Sequence, residues 1–292
     1  MKVLVAGLPK TATTAVFTMV RDAMAAAGEA PETVFEPGGV TVGEQSVTLH
    51  LGGREISLHD PMLVKVIVHG AMNAAALEPA LTAFDHAVLL VRDPRDWIIS
   101  RYLYSWYRKH QPVAKFYRRA VRLVRRKEAA PVSLPFFRLL AAGNASGRDL
   151  GEEIVPAYAE LRQLLTMAGA GAFVMRYEDF VAGRIEVLSA HLGLDLSADV
   201  RVDDSVARVA RSRSSANWRK WFTPADVEFF SPRIDPILRA CGYDADDWRL
   251  DETPVLDPRT GSGYMQRLYE GDWSGRPAGW RSVWRRLATG RG

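Results

Sequence analysis

The chain has 292 residues, 48% hydrophobic and 25% charged, with a formal net charge of +4. That is ordinary globular composition, long enough for one large α/β domain or two smaller ones with a buried core. A single cysteine, Cys241, excludes an internal disulfide framework and any multi-cysteine metal site, in keeping with a reducing cytoplasm. No stretch approaches the uninterrupted apolar length of a membrane-spanning helix. The apolar run at the N-terminus is too short for a signal-peptide core and leads into Gly7-Leu8-Pro9-Lys10, so a soluble, cytoplasmic protein is expected. The arginines cluster in a few segments, which suits an anionic partner such as a nucleotide, an acidic glycan or a membrane surface.

In chain order, residues 3–6 read as a short buried strand. Residues 14–27 follow with helical apolar spacing and stop at Gly28, giving strand, loop and helix. The stretch 33–57, rich in glycine and β-branched residues, reads as an irregular loop. Residues 63–68 and 87–91 are further buried strands, with a helix-like segment over 74–84 between them. A second loop is expected over 143–151. A fourth strand is expected at 173–175, then a helix through 188–192 that ends at Gly193. Beyond residue 251 the chain mixes Pro, Gly, Trp and Arg with little periodicity until 280–287. The expected architecture is α/β: a doubly wound parallel sheet of P-loop type flanked by helices. It forms one domain over 1–250, with a C-terminal extension over 251–292.

The turn after the first strand, Gly7-Leu8-Pro9-Lys10-Thr11-Ala12-Thr13-Thr14, places a lysine, several hydroxyls and successive backbone amides at a helix N-terminus. Those first amides lack intrahelical partners and the helix dipole favours negative charge there, so the turn suits a phosphate or sulfate. A Walker loop would close on Gly-Lys-Ser/Thr, whereas here the lysine follows proline directly. Helix capping by the threonines is the competing explanation of the same residues. The stretch from Arg92 through Asp93, Pro94, Arg95 and Asp96 to Ser100 sets an arginine at a strand's carboxyl end, a proline in the first helical turn and a serine two turns on. Arg92 there is placed to grip a phosphate bidentately. A surface ion-pair cluster is the structural alternative.

These segments resemble the 3′-phosphoadenosine 5′-phosphosulfate (PAPS)-dependent sulfotransferase family, of cytosolic and carbohydrate type, over about residues 1–245. PKTATT is similar to the family's PK-[ST]-G-[ST]-T loop, which grips the 5′-phosphosulfate, with Ala12 where glycine is usual. The resemblance implies donor contacts by Lys10, Thr11, Ala12, Thr13 and Thr14, and a 3′-phosphate site at Arg92 and Ser100. Tyr177-Glu178-Asp179 is similar to the family's YED, whose tyrosine packs near the adenine. The segment opening at Arg211 resembles RKGxxGDWK, with Ser212 for the lysine and Arg213 for the glycine, so the second positive charge is expected one position later. Trp218 in this segment is either a packing anchor or a ligand contact.

The implied activity is sulfuryl transfer from PAPS to a hydroxyl of a small-molecule, carbohydrate or natural-product acceptor, releasing adenosine 3′,5′-bisphosphate. Basic side chains stand in for a metal, and none is expected. Two residues compete as general base. His69 follows the strand carrying Lys65, similar to a Lys and His pair of cytosolic sulfotransferases though more widely spaced. Glu36 lies in an EP turn similar to that of carbohydrate sulfotransferases. The alternative enzyme, a P-loop small-molecule or nucleotide kinase, lacks Gly-Lys-Ser/Thr. A nucleic-acid reader is disfavoured because the arginine-rich segment 108–127 lacks interleaved stacking aromatics. As a helix, that segment sets Arg118, Arg122, Arg125 and Arg126 on one face and Tyr117, Ala120, Val121 and Val124 on the other. Such a face fits protein surface, an acidic acceptor, or an anionic membrane carrying a lipid-linked one.

Overall fold

The computed structural model describes residues 1–44, 46–107, 114–141, 150–168, 172–200, 208 and 211–271. Its centre is a five-stranded sheet built from β1 (Lys2–Gly7), β2 (Glu32–Phe35), β6 (Met62–Ile67), β7 (His86–Val91) and β8 (Ala172–Arg176). The order is β2-β6-β1-β7-β8 and every pairing is parallel. The near-continuous apolar runs of the inner strands, residues 3–6, 62–64 and 87–91, require burial on both faces. Alternate residues of β1 accordingly enter two separate cores, Leu4 and Ala6 in one, Val3 and Val5 in the other.

The Val3 face is covered by α1 (Thr13–Ala26) and α8 (Glu186–Leu192), which contribute Val16, Phe17, Val20, Leu188 and Leu192. The opposite face is covered by α2 (Ala74–Leu81), α3 (Pro94–Tyr104), α6 (Leu150–Ala168) and α10 (Pro224–Ala240). Helices on both faces of a parallel sheet make the architecture doubly wound, as expected. Each fully buried Leu or Val contributes about 1.5–3 kcal/mol.

The stretch expected as an irregular loop is instead mostly sheet. Strands β3 (Gly39–Val42), β4 (Val47–Leu51) and β5 (Arg54–Ser57) form an antiparallel meander. Gly52 and Gly53, at φ 58° and 83°, make the two-residue turn between paired Leu51 and Arg54. Such a turn requires positive φ at both positions, so glycines that read as loop signals are a hairpin device. Leu49 and Ile56 point inward and join the core.

The arginine-rich segment forms α4 (Ala114–Ala129), and Tyr117, Ala120, Val121 and Val124 are buried while Arg118, Arg122, Arg125 and Arg126 are exposed. Residues 108–113 lie outside the described residues. After α5 (Phe136–Ala141), the expected loop at 143–151 falls on residues 142–149, also outside them, and α6 begins at Leu150. The remaining helices are α7 (Tyr177–Val181), α9 (Trp218–Trp221) and α11 (Ser262–Glu270). Beyond residue 251, Leu256, Tyr264, Met265 and Leu268 belong to the same core as the sheet. The aromatic and arginine-rich stretch 280–287 lies outside the described residues.

Candidate active site

Strands β1 and β7 are neighbours, with Gly7 paired to Leu90, yet β1 runs on through α1 toward the β2 edge and β7 through α3 toward the β8 edge. The strand order reverses between them, and the crevice at their carboxyl ends is where ligands of open α/β sheets bind. The two motifs meet there because Lys10 follows β1 and Arg92 follows β7.

Hydrogen bonds hold the loop. Thr11 Oγ1 donates to the Leu8 carbonyl at 2.8 Å, Trp97 Nε1 to the Pro9 carbonyl at 2.7 Å, and Arg92 Nη1 to the Lys10 carbonyl at 3.0 Å. Gly7 admits no side chain, since a Cβ would lie 2.8 Å from both the Leu90 carbonyl oxygen and Thr11 Oγ1. Lys10 and Ala12 sit at φ 72° and 74°. The left-handed region costs a non-glycine residue roughly 1–2 kcal/mol, and such strain persists only where surroundings over-determine the backbone. Ala12 is also the N-cap of α1 and makes no side-chain capping bond. The threonines therefore do not explain the turn as a cap: Thr11 spends its hydroxyl on Leu8, while Thr13 and Thr14 lie buried in the first turn. The first amides of a 14-residue helix are presented at the crevice without a side-chain cap.

Arg92 is buried with its guanidinium 3.9 Å over the Tyr177 ring and Nη2 3.8 Å from Asp96. Among the described residues its Nε is buried without a hydrogen-bond partner. Arg211 donates from Nη1 to the Thr260 carbonyl at 3.3 Å, while its Nε and Nη2 are buried without hydrogen-bond partners among the described residues. Burial and the adjacent Arg92, Arg211, Arg101 and Arg208 hold the Lys10 ammonium well below its usual pKa. Burial and Arg92 likewise lower Arg211. Asp96 faces Arg92 within this cluster. Burial pushes its carboxyl up, partly offset by Arg92 and by the Trp218 amide that donates to it at 2.9 Å. Ser100 is buried on the same helix.

The RDPRD motif thus splits by role. Asp93 accepts from the Arg95 amide at 2.8 Å and chelates its guanidinium at 2.7–3.1 Å; the guanidinium lies 4.2 Å over Trp218. All four charged residues are buried, so the motif is not a surface ion-pair cluster. Trp218 is a packing anchor, and Tyr177 sets its ring against Arg92. Arg213 is exposed at φ 46° and gives Nη2 to the Val200 carbonyl at 3.0 Å.

On the other flank, β6 carries Lys65, completely buried, with Nζ 4.0 Å over the Phe35 ring and ion-paired to Glu36 Oε1. Glu36 follows β2 directly, at φ 56°, and its amide donates to the Lys65 carbonyl at 2.9 Å. Burial lowers Lys65 although Glu36 opposes the shift. Glu36 also acts electrostatically on Tyr104, whose ring lies 4.1 Å from Lys10 Nζ, so carboxylate and loop lysine share one neighbourhood. His69 is exposed beyond β6, its backbone bridging Met72 at 3.2 Å in both directions, and its ring makes no hydrogen bond among the described residues. The structure brings together Lys10, Arg92, Arg211, Lys65 and Glu36; His69 stands exposed just past the carboxyl end of β6, and Arg213 turns to the Val200 carbonyl.

Sequence reasoning missed Tyr104, Arg208, Thr260 and Tyr264. Tyr104 carries a signal, one helical turn beyond Ser100 on α3. Tyr264 lies on the buried stripe of α11, a spacing that marks burial and not its nearness to Lys10.

No family model and no curated protein matches the chain. Among solved structures it is similar to mouse sulfotransferase SULT7A1 complexed with PAP, at 11% identity and a TM-score of 0.44, over 82% of this chain and 84% of that chain. It is also similar to a sulfotransferase from Alicyclobacillus acidocaldarius, at 15% identity and a TM-score of 0.40, over 83% of this chain and 96% of that chain. Among the described residues no helix is long and apolar enough to cross a membrane.

Proposed function

We propose that this chain transfers a sulfuryl group from PAPS to a hydroxyl. What carries the reading is the set of buried guanidinium donors without partners, Arg92 Nε with Arg211 Nε and Nη2, at the crevice beside the Lys10 loop. A buried polar hydrogen without a partner costs about 1–3 kcal/mol, and a cluster of them among cations fits a multiply charged anion. The loop from Lys10 to Thr14 holds the phosphosulfate end, and Arg92, Ser100 and Arg211 hold the 3′-phosphate. PAPS, when bound, supplies an activated sulfuryl group bearing a single negative charge.

Transfer of this kind is loose and in-line, so the protein chiefly positions reactants and neutralises charge. Lys10 and the α1 amides put positive potential at the loop. Lys65 engages Glu36 Oε1 and orients the carboxylate, so that Oε2 accepts the acceptor hydroxyl's proton. The acceptor is an alcohol or phenol of a small molecule, a carbohydrate or a natural product.

Calorimetric titration with adenosine 3′,5′-bisphosphate and with ATP–Mg²⁺ tests the reading. The parent binds the bisphosphate in preference to ATP–Mg²⁺. Lys10→Ala and Arg92→Ala each lose about 1.5–3 kcal/mol, roughly ten- to a hundredfold in affinity, while remaining folded. Bisphosphate binding unchanged in both variants, or preference for ATP–Mg²⁺, refutes the assignment.

A further inference from the structure

The C-terminal segment crosses the site. Helix α11 is anchored on α4, where Glu128 accepts from the Ser262 amide at 2.6 Å and from its hydroxyl at 2.7 Å. Tyr269 stacks face to face on Tyr117 at 3.7 Å. From this fixed helix Tyr264, only 3% exposed, reaches the phosphate loop. Its hydroxyl donates to the Arg208 carbonyl at 2.9 Å. With that proton committed, the oxygen presents lone pairs to Lys10, whose Nζ donates to it at 3.4 Å. The Tyr104 ring, 4.1 Å from the ammonium, closes the other side. Two residues before α11, the Thr260 carbonyl holds Arg211.

Among the described residues, the groups facing Lys10 include Arg92 at the end of β7, Arg101 and Tyr104 on α3, Arg208, Arg211, and Tyr264 on α11. Four are cations. An ammonium in such company tends to lose its proton or swing away, and a hydrogen bond accepted from the charged form opposes both. A carboxylate in this place would cancel the positive field and compete with an incoming anion. Burial keeps the Tyr264 phenol neutral, so it steadies Lys10 without that competition.

We propose that Tyr264 is a positioning residue: its hydroxyl holds the Lys10 ammonium in the phosphate loop, and the segment carrying it is part of the anion site. The identity of that anion, though not the contact itself, rests on the sulfuryl-transfer reading.

The experiment uses Tyr264→Phe, which removes one oxygen and keeps the ring, with Ser262→Ala as a control that loosens α11 without touching the hydroxyl. NMR of lysine ε-carbons, with Lys10→Ala identifying the signal, follows Lys10 titration in the ligand-free protein. The titration moves to lower pH in Tyr264→Phe and stays in place in Ser262→Ala. Adenosine 3′,5′-bisphosphate affinity falls about three- to tenfold in Tyr264→Phe, with no further loss when Tyr264→Phe is added to Lys10→Ala. An unmoved Lys10 titration in Tyr264→Phe overturns the proposal, as does an equal movement in Ser262→Ala. If the parent fails to bind the bisphosphate while Tyr264→Phe alone moves Lys10, the positioning role stands and the sulfuryl-transfer reading falls.

Discussion

Arg211→Met separates a binding site from a structural cluster, because the two give opposite signs of stability. Methionine keeps an unbranched apolar stem and removes the guanidinium. The loss is the long Nη1 hydrogen bond to Thr260, at 3.3 Å, worth about 0.5–1 kcal/mol. The gain is relief of two buried donors without partners, each costing about 1–3 kcal/mol, and of repulsion from Arg92. Replacing a buried charge by an apolar residue of similar volume is often neutral or stabilising, so the ligand-free fold should gain about 1–2 kcal/mol. At about 2–3 °C per kcal/mol for a chain of this size, its melting temperature rises by about 2–6 °C. The same change removes a charged donor from the anion and costs about ten- to a hundredfold in adenosine 3′,5′-bisphosphate affinity. At a hundred times the parent's dissociation constant the bisphosphate stabilises the parent by about 2.7 kcal/mol and the ten- to hundredfold weaker variant by about 0.4–1.4 kcal/mol. Scanning calorimetry with and without ligand should therefore show the variant melting above the parent without ligand and raised less by ligand than the parent is. A ligand-free variant melting below the parent, or one with parental affinity, refutes the assignment of Arg211.

Three further outcomes follow from the site. Glu36→Gln should lower turnover by about 10²–10⁴-fold with little change in donor affinity, whereas His69→Ala stays near parental; steady-state kinetics giving the reverse pattern restores the histidine as base. Ala12→Gly should relieve left-handed strain at φ 74° and stabilise the protein by up to about 1 kcal/mol after glycine's greater unfolded-state entropy, read by chemical denaturation; a loss of stability would show that the methyl group packs usefully. On α4, we propose that the exposed arginine face meets an anionic acceptor or membrane. Changing Arg118, Arg122 and Arg125 together to glutamine should then raise the acceptor's Michaelis constant or abolish binding to anionic vesicles, with donor affinity intact; if neither quantity moves, the face is ordinary surface.

Local chemistry was legible in the residues themselves. A strand at 3–6, a turn opening at Gly7 and a helix at 14–27 follow from a short buried apolar run and 3.6-residue spacing. Arg92 and Lys10 stand at strand ends, which needs only the strand boundaries and the preference of parallel sheets for ligands at that edge. The amphipathic face of α4 was equally plain, because burial of one stripe is written in the sequence period.

What the sequence could not carry was proximity between distant segments. His69 and Glu36 were equivalent as residue types; the parallel pairing of β2 with β6 sets Glu36 against Lys65 and leaves His69 exposed. Arg211 and Arg213 were equivalent as cations, yet one enters the buried cluster and the other turns to the Val200 carbonyl. Tyr264, 254 residues from Lys10, has no local signal of that nearness, since only the seating of α11 on α4 delivers its hydroxyl. Periodicity reports which residues are buried, while the field around Lys10 depends on which buried residues share a neighbourhood, and that is decided by the packing of the whole chain.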